Sequence, residues 1–164
     1  MPELPTILCA SDLSEASQTA FRFATALARD YGAKVVVLYV YPPPLNHAEA
    51  VDRARDPNFE AHLIETLRAQ TPEHWGTVVE FRVVEGTPAE EIVKAARDCN
   101  LVVIGTHGRS GLRRVLMGSV AEEVLRKAPC PVLTVRAGLA PPPASPPAAT
   151  TTTITSGNEL GVGD

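Results

Sequence analysis

The sequence predicts an α/β fold in three layers, with a five-stranded parallel sheet between two layers of helices. Short apolar runs rich in β-branched residues alternate along the chain with segments whose apolar residues recur at helical spacing. Several of these runs are apolar throughout, which is typical of parallel strands covered on both faces. Because right-handed crossovers place the connecting helices on the faces of such a sheet, this alternation leaves few other arrangements.

The first two strands and the helix between them follow from simple patterns. Thr6–Ala10 is predicted to be a buried strand, and Ser14 is expected to cap a helix that ends at Gly32. Ala33–Tyr41 is a second buried strand. The residues expected on the apolar face of the helix are Ala16, Ala20, Phe23, Ala24, Leu27, Ala28 and Tyr31.

The middle of the chain is less regular. The stretch from Pro42 to Pro57 is polar and is interpreted as a mobile loop. A helix is expected from Phe59 to just before Pro72. Thr77–Val84 is a third strand, and its two charged residues favour an edge position in the sheet.

The remaining elements have stronger signals. Thr87 is expected to cap a helix, with Pro88 at the first helical position and Glu90 completing a capping box. Leu101–Ile104 is a continuous apolar run, as in a central strand. Pro131–Arg136 is the fifth strand.

The stretch Leu101–Val124 joins the fourth strand to a glycine-rich loop with three arginines and then to a helix start. Its glycines, which let the backbone approach a ligand closely, are Gly105, Gly108, Gly111 and Gly118. The capping-box pattern from Ser119 to Glu122 predicts a helix that begins at Ser119 and ends near Ala128. A strand, a glycine loop and a helix N-terminus in this order predict a phosphate site.

Composition limits the function classes. With 164 residues and 45% hydrophobic content, the chain can form one domain with a substantial core. A net charge of −4 argues against nucleic acid as a partner, and no apolar run is long enough to span a membrane. The cysteines, Cys9, Cys99 and Cys130, show no CxxC spacing, which favours burial in a reduced, cytoplasmic protein.

The composition changes at Gly138. From there onward prolines, alanines and threonines dominate, and few side chains are large enough to bury. The sequence therefore predicts a folded domain over residues 1–137 and a disordered tail over residues 138–164.

Polar residues follow two of the predicted strands. Ser11 and Asp12 come after the first strand, and the loop that begins at Gly105 comes after the fourth. Ligands of parallel sheets bind beyond the carboxyl ends of the strands, where the strand order reverses. If these two strands are neighbours, both segments share one crevice.

Two separated motifs resemble those of the universal stress protein family. The spacing Gly105-x2-Gly108-x9-Gly118-Ser119 resembles the family's nucleotide-binding signature. The opening Ile7–Ser14 (ILCASDLS) resembles its first strand with the following Asp and Ser.

The resemblance extends over most of the chain, from about Thr6 to Arg136. Gly86–Pro88 and Pro129–Val135 resemble the family's third-helix entry and final strand. The resemblance implies a Rossmann-like sheet of strand order 3-2-1-4-5, of the adenine nucleotide alpha hydrolase-like type. It also implies the ATP-binding branch, with ATP or AMP as the ligand, and a homodimer formed through Val132–Val135.

The resemblance implies roles for individual residues. Asp12 would contact the ribose or a metal–phosphate assembly that includes Mg²⁺, and the backbone of Val40 would meet the adenine. Ala10 stands at the strand end where the family often has proline. The resemblance places Gly105, Gly108 and Arg109 around the ribose and phosphates. The backbone N–H groups that would bind the phosphates, together with the Ser119 hydroxyl, are those of Gly118, Ser119, Val120 and Ala121.

Each of these residues also has a simpler explanation. Asp12 can bond its own turn, and the glycines can serve ordinary turns. Arg109, Arg113 and Arg114 can form a solvated basic loop; Arg109 is preferred as a ligand because a guanidinium matches phosphate oxygens. His107 is expected to line the site through its backbone rather than to act in catalysis.

Three functions remain open after the motif search. The chain lacks the phosphate-loop pattern G-x-x-x-x-G-K-[ST] and lacks G-x-G-x-x-G after the first strand. The resemblance implies a nucleotide-binding regulator of the stress response. The alternatives are a slow ATP hydrolase or phosphoryl transferase that uses the same site, and an interaction module without nucleotide.

Overall fold

A five-stranded parallel sheet forms the centre of the molecule. The computed structural model describes residues 5–71, 76–107 and 117–143. The strand order is β3-β2-β1-β4-β5, and every neighbouring pair is parallel, which confirms the predicted topology. The strands are β1 (Thr6–Ser11), β2 (Lys34–Tyr41), β3 (Val78–Glu85), β4 (Leu101–Gly105) and β5 (Val132–Val135).

Helices cover both faces of this sheet, which completes the predicted three layers. In the described residues the helices are α1 (Glu15–Tyr31), α2 (His47–Arg55), α3 (Phe59–Gln70), α4 (Pro88–Ala95) and α5 (Ser119–Lys127), and a 3-10 turn (Ala96–Asp98) follows α4. Helices α1 and α3 pack on one face, and α4 and α5 pack on the other.

The continuous apolar strands have buried residues on both of their faces. In β2, Val35 and Val37 belong to the core under α1 and α3, whereas Val36 and Leu38 belong to the core under α4 and α5. The side chains of a strand alternate between the two faces of a sheet. A strand buried on both faces therefore reads as an unbroken apolar run, which is why these strands were predictable.

Helix α1 confirms both predicted ends and most of its predicted apolar face. The Ser14 side chain accepts a hydrogen bond from the Ser17 N–H at 3.2 Å, and Gly32 ends the helix with φ +62°. The four predicted alanines of this face are buried, and Phe23 and Leu27 pack partly buried against the core. Phe21 is also buried, which was not predicted, and Tyr31 is 74% exposed. Tyr31 lies in the last turn, one residue before the left-handed Gly32, so its helical spacing does not carry it into the core.

The segment predicted as an irregular loop contains α2, and that prediction is wrong. Asn46 caps this helix by accepting a hydrogen bond from the Glu49 N–H at 3.0 Å. Arg53 and Glu49 form an ion pair one turn apart. None of the residues of α2 is buried, so the helix has no apolar stripe that the sequence could reveal.

Both predicted capping boxes are also wrong. Thr87 is the N-cap of α4, with Pro88 at its start as predicted, but the Thr87 side chain makes no capping bond. The N-cap of α5 is Gly118, and Ser119 is already helical. The Gly118 N–H donates to the Thr106 carbonyl and so holds Gly118 in the extended conformation of an N-cap. The cap is therefore Gly118 instead of the predicted Ser119.

The predicted tail begins beside α1. The Gly138 N–H donates to the Thr19 hydroxyl at 3.3 Å, and residues 138–143 contain no helix or strand. The rest of the predicted tail lies outside the described residues. Among the helices of the described residues, none has the length and apolar content that crossing a bilayer requires.

Candidate functional site

A cavity of about 340 Å³ opens at the carboxyl ends of β1, β2 and β4. It spans the point where the strand order reverses between β1 and β4, as the sequence predicted. Its described lining consists of Ala10, Ser11, Asp12, Ser14, Ser17, Leu38, Val40, Pro88, Ile92, Ile104, Gly105, Thr106, His107, Gly118, Ser119, Val120 and Ala121.

Asp12 lies in the tight connection between β1 and α1. Its Oδ1 accepts a hydrogen bond from the Ser14 N–H at 3.0 Å, so the carboxylate stabilises its own turn. Leu13 takes φ +65° to make this turn, a conformation that costs about 1 kcal/mol for a residue with a side chain. Asp12 also lines the cavity, where it is the only carboxylate among the described residues. The carboxylate therefore stabilises its own turn while it also lies in the wall of the cavity.

Three serines surround the same turn. Ser11 was expected at this crevice, whereas Ser14 and Ser17 were not. The Ser17 hydroxyl donates to the Ser14 carbonyl at 2.9 Å and lies 3.4 Å from the Ser11 hydroxyl. All three residues line the cavity. Their spacing of three residues across the start of a helix was the available signal, because it places Ser14 and Ser17 on one side of the first turn.

Gly105 lies where α1 comes closest to β4. A Cβ atom at this position would be 2.9 Å from both the carbonyl carbon and the Cβ of Ala16. The absence of a side chain is therefore required by the packing of α1. Gly105 lines the cavity as predicted, but a ligand is not needed to explain this glycine.

Thr106 connects the cavity to β5 and to α5. Its N–H donates to the Val135 carbonyl at 2.9 Å, and its own carbonyl accepts from the Gly118 N–H. The Thr106 hydroxyl lies 3.0 Å from Nδ1 of His107. His107 lines the cavity, next to a residue that is itself buried.

The N-terminus of α5 forms one end of the cavity. Gly118, Ser119, Val120 and Ala121, the four residues that the resemblance assigns as N–H donors, all line it. The first N–H groups of a helix have no partner within the helix, and the helix dipole gives this end a partial positive charge. This end of the cavity can therefore bind an anion.

The part of the lining that comes from β2, which lies across β1 from β4, and from α4 is apolar. Val40 lies near the end of β2 and lines the cavity together with Leu38, Pro88 and Ile92. Val40 was predicted; the other three were missed, because their apolar patterns identify them only as core residues of a strand or a helix.

Two predicted residues, Gly108 and Arg109, lie outside the described residues, as do Gly111, Arg113 and Arg114. Within the described segments, no three His, Cys, Asp or Glu side chains are grouped to hold a metal ion. A Mg²⁺ ion held by nucleotide phosphates needs only one or two protein carboxylates, so Asp12 fits that chemistry.

The cysteines lie outside this cavity. Burial raises the pKa of Cys9 to about 12, and desolvation also raises the pKa values of Cys99 and Cys130. Cys9 is buried as expected, whereas Cys99 and Cys130 are only half-buried.

Comparison with known proteins identifies the family. The model of the universal stress protein family matches residues 4–136. A universal stress protein of Methanocaldococcus jannaschii is 33% identical over 139 residues, which cover 79% of this chain and 81% of the relative. One of Thermus aquaticus is 34% identical over 140 residues, covering 80% and 98%.

Solved structures agree with these relatives. The universal stress protein UspA of Lactobacillus plantarum superimposes with a TM-score of 0.66 at 27% identity, covering 83% of this chain and 100% of that one. A universal stress protein in complex with cAMP gives 0.62 at 25% identity, covering 81% and 97%. One of Archaeoglobus fulgidus in complex with dAMP gives 0.52 at 26% identity, covering 82% and 99%. This chain belongs to the universal stress protein family.

Proposed function

We propose that this chain binds an adenine nucleotide, ATP or AMP, in the cavity at the carboxyl ends of β1, β2 and β4. The observation that carries the proposal is the polarity of the cavity, which has a helix N-terminus in one part of its lining and an apolar wall in another. A nucleotide has the same polarity, with phosphates at one end and a base at the other. Its relatives solved with cAMP and dAMP support an adenine nucleotide in particular.

At the phosphate end, the N–H groups of Ser119, Val120 and Ala121 would hold the phosphates, together with the Ser119 hydroxyl. Ser119 is exposed and helical, so its hydroxyl is not used as the cap of α5. Gly108 and Arg109 of the preceding loop would complete this end. Asp12 would contact the ribose or a Mg²⁺ ion bound to the phosphates.

At the base end, the backbone of Val40 would meet the adenine between the side chains of Leu38 and Ile92. The cavity volume of about 340 Å³ lies at the lower end of the range usual for small-molecule sites. An apolar wall with a few backbone hydrogen-bonding groups is the common way to fix a flat heterocycle.

We further propose that the chain is a cytoplasmic homodimer that responds to its nucleotide. β5 is an edge of the sheet, and three of its four residues are only half-buried. An edge strand with unpaired backbone groups is a template for pairing with a second copy. Thr106 would connect a nucleotide bound at α5 to that edge, because its backbone is hydrogen-bonded both to Gly118 at the start of α5 and to Val135 of β5.

The first experiment looks for nucleotide carried by the purified protein. The protein is denatured, and any released nucleotide is identified by mass; adenine nucleotide is expected. Thermal unfolding with added ATP, AMP and GTP then measures selectivity, because a ligand that binds only the folded state raises the unfolding temperature. Absence of both a released nucleotide and a shift with millimolar adenine nucleotides would contradict the proposal and favour the interaction module.

A further inference from the structure

The guanidinium group of Arg53 binds α2 to the ends of β2 and β3, next to the apolar part of the cavity. Nη1 of Arg53 donates to the Pro42 carbonyl at 2.7 Å, and Nη2 donates to the Glu49 carboxylate. Nη1 also lies 3.6 Å from Oε2 of Glu85 at the end of β3. The Arg53 side chain is only 18% exposed, so these contacts are partly shielded from water.

The same guanidinium packs against a pair of aromatic rings. The Cζ atom of Arg53 is 5.6 Å from the ring centre of Tyr41 and 5.3 Å from that of Phe59. The two rings meet edge to face with their centres 5.3 Å apart. The Tyr41 hydroxyl donates to the Glu60 carboxylate at 2.8 Å. Arg53 therefore connects α2, the start of α3 and the ends of β2 and β3.

The residues held by Arg53 adjoin those that line the cavity. Val40 lines the cavity and directly precedes Tyr41. Pro88 also lines it, and Gly86, two residues before Pro88, donates its N–H to the Tyr41 carbonyl at 3.0 Å. The cluster around Arg53 thus fixes both backbone segments that border the apolar part of the cavity. Among the described residues that line the cavity, none belongs to this cluster.

We propose that Arg53 is a positioning residue that sets the base selectivity of the site. This inference rests on the proposed nucleotide-binding function. A backbone segment distinguishes adenine from guanine only if its N–H and C=O groups stay at fixed positions, since a site built to hydrogen-bond one base leaves polar groups unpaired with another. Arg53 supplies that fixation from outside the cavity, without touching the ligand.

Arginine suits this task better than lysine. Its planar fork reaches the Pro42 carbonyl and two carboxylates while its Cζ atom stays within 5.6 Å of both ring centres. A lysine keeps the positive charge but cannot make these contacts together. The conservative substitution therefore separates the geometry of the clamp from its charge.

The test compares Arg53→Met and Arg53→Lys with wild type. Arg82→Met is the matched control, because Arg82 also pairs with a glutamate, Glu80 on β3, but does not line the cavity or contact the cluster. ATP and GTP each compete against ATP carrying a fluorescent group on its ribose, and the readout is the ratio of their inhibition constants. Thermal unfolding of each variant without nucleotide reports its fold.

Wild type and Arg82→Met are expected to prefer ATP by the same ratio. Arg53→Met should lower that ratio by about tenfold, the size expected when ordering of a binding segment is lost. Arg53→Lys should also lower the selectivity ratio, and its unfolding temperature should stay close to that of wild type.

An unchanged ratio in both Arg53 variants would overturn the inference, and so would an equal loss in Arg82→Met. A wild-type protein that binds no nucleotide would instead overturn the proposed function itself. The two failures are distinguishable because the second is visible without any variant.

Discussion

Gly105 shows how one residue can have a packing role and a position in the site at once. A Cβ atom there would lie 2.9 Å from the backbone of Ala16, closer than such atoms approach in folded proteins. We expect Gly105→Ala to lower the free energy of unfolding by about 1–3 kcal/mol, because α1 and β4 would have to separate. Urea unfolding in the absence of nucleotide measures this loss.

Gly32→Ala is the control for Gly105→Ala. Gly32 has φ +62°, but no atom lies within 4 Å of the position that a Cβ atom would take, so its substitution tests backbone conformation without crowding. A loss of about 1 kcal/mol is expected for Gly32→Ala, from the left-handed conformation alone. If Gly105→Ala leaves the unfolding midpoint unchanged, the contact between α1 and β4 is softer than its distances indicate.

Substitutions of Asp12 can distinguish a role in binding ATP from a role in hydrolysing it. Asp12→Asn retains an oxygen that can accept the Ser14 N–H bond but removes the negative charge. If Asp12 acts through a Mg²⁺ ion on the phosphates, the affinity of wild type for ATP should rise with Mg²⁺, and that of Asp12→Asn should not. Calorimetric titration with and without Mg²⁺ gives both affinities.

The alternative function, slow ATP hydrolysis at the same site, requires Asp12 for the reaction as well. Any slow release of phosphate from ATP should fall in Asp12→Ala. Phosphate release that continues unchanged in this variant would remove Asp12 from the reaction, whatever its effect on binding.

Cys9 gives a prediction about pH. Burial raises its pKa to about 12 from 9.0, so above pH 9 the unfolded chain loses the thiol proton while the folded chain keeps it. This contribution to stability is fully present below pH 9 and is lost as the pH rises toward 12. Between about pH 8 and pH 10, wild type should therefore lose about 1.4 kcal/mol more unfolding free energy than Cys9→Ala. Parallel losses in the two proteins would contradict this role for burial.

At the scale of single elements, α2 depends on its cap more than on burial. Asn46→Ala removes the hydrogen bond to the Glu49 N–H and should cost about 1 kcal/mol of local stability, or about fivefold faster amide exchange in α2. Asn58→Ala is the matched control, because Asn58 is the N-cap of α3 but makes no side-chain capping bond. Hydrogen exchange followed by mass spectrometry separates the two; equal effects would argue against the cap.

Which elements the sequence could predict follows from what each one buries. β1, β2 and β4 are apolar on both faces, so their position in the centre of the sheet was readable. α2 buries none of its residues, and its only signals were a cap and an ion pair. Its contacts with Tyr41 and Phe59 join residues of three different elements, which the pattern within one element does not reveal.

The site was predictable in part for a related reason. Glycines and a helix start indicated the phosphate end, and Gly118 to Ala121 do line the cavity. The helix start at Ser119 was correct, but its cap was misassigned by one residue because the Gly118–Thr106 hydrogen bond joins two segments on either side of the loop. Pro88 and Ile92 come to the cavity through the packing of α4 on β1 and β2, a tertiary effect.

At the scale of the whole molecule, the open edge of β5 can be tested directly. The Val102 N–H donates to the Pro131 carbonyl and the Thr106 N–H to that of Val135, so alternate residues of β5 bond to β4. The backbone of Thr134 therefore faces the open edge. Thr134→Pro removes an N–H from that edge and should convert the proposed dimer to a monomer.

Thr134→Val, which keeps the N–H, is the control for that substitution. Light scattering coupled to size-exclusion chromatography gives the mass of each variant, and circular dichroism checks that the fold is retained. A folded Thr134→Pro protein that remains dimeric would place the interface elsewhere.

The position of Thr106 between α5 and β5 has a thermodynamic consequence. If nucleotide at α5 favours pairing of β5 with a second copy, then pairing must favour nucleotide by the same factor, because binding equilibria that share a state are reciprocal. The affinity for ATP would then rise with protein concentration. A dilute chain would hold its nucleotide weakly and a concentrated one tightly, so the abundance of the protein would itself set the nucleotide level to which it responds.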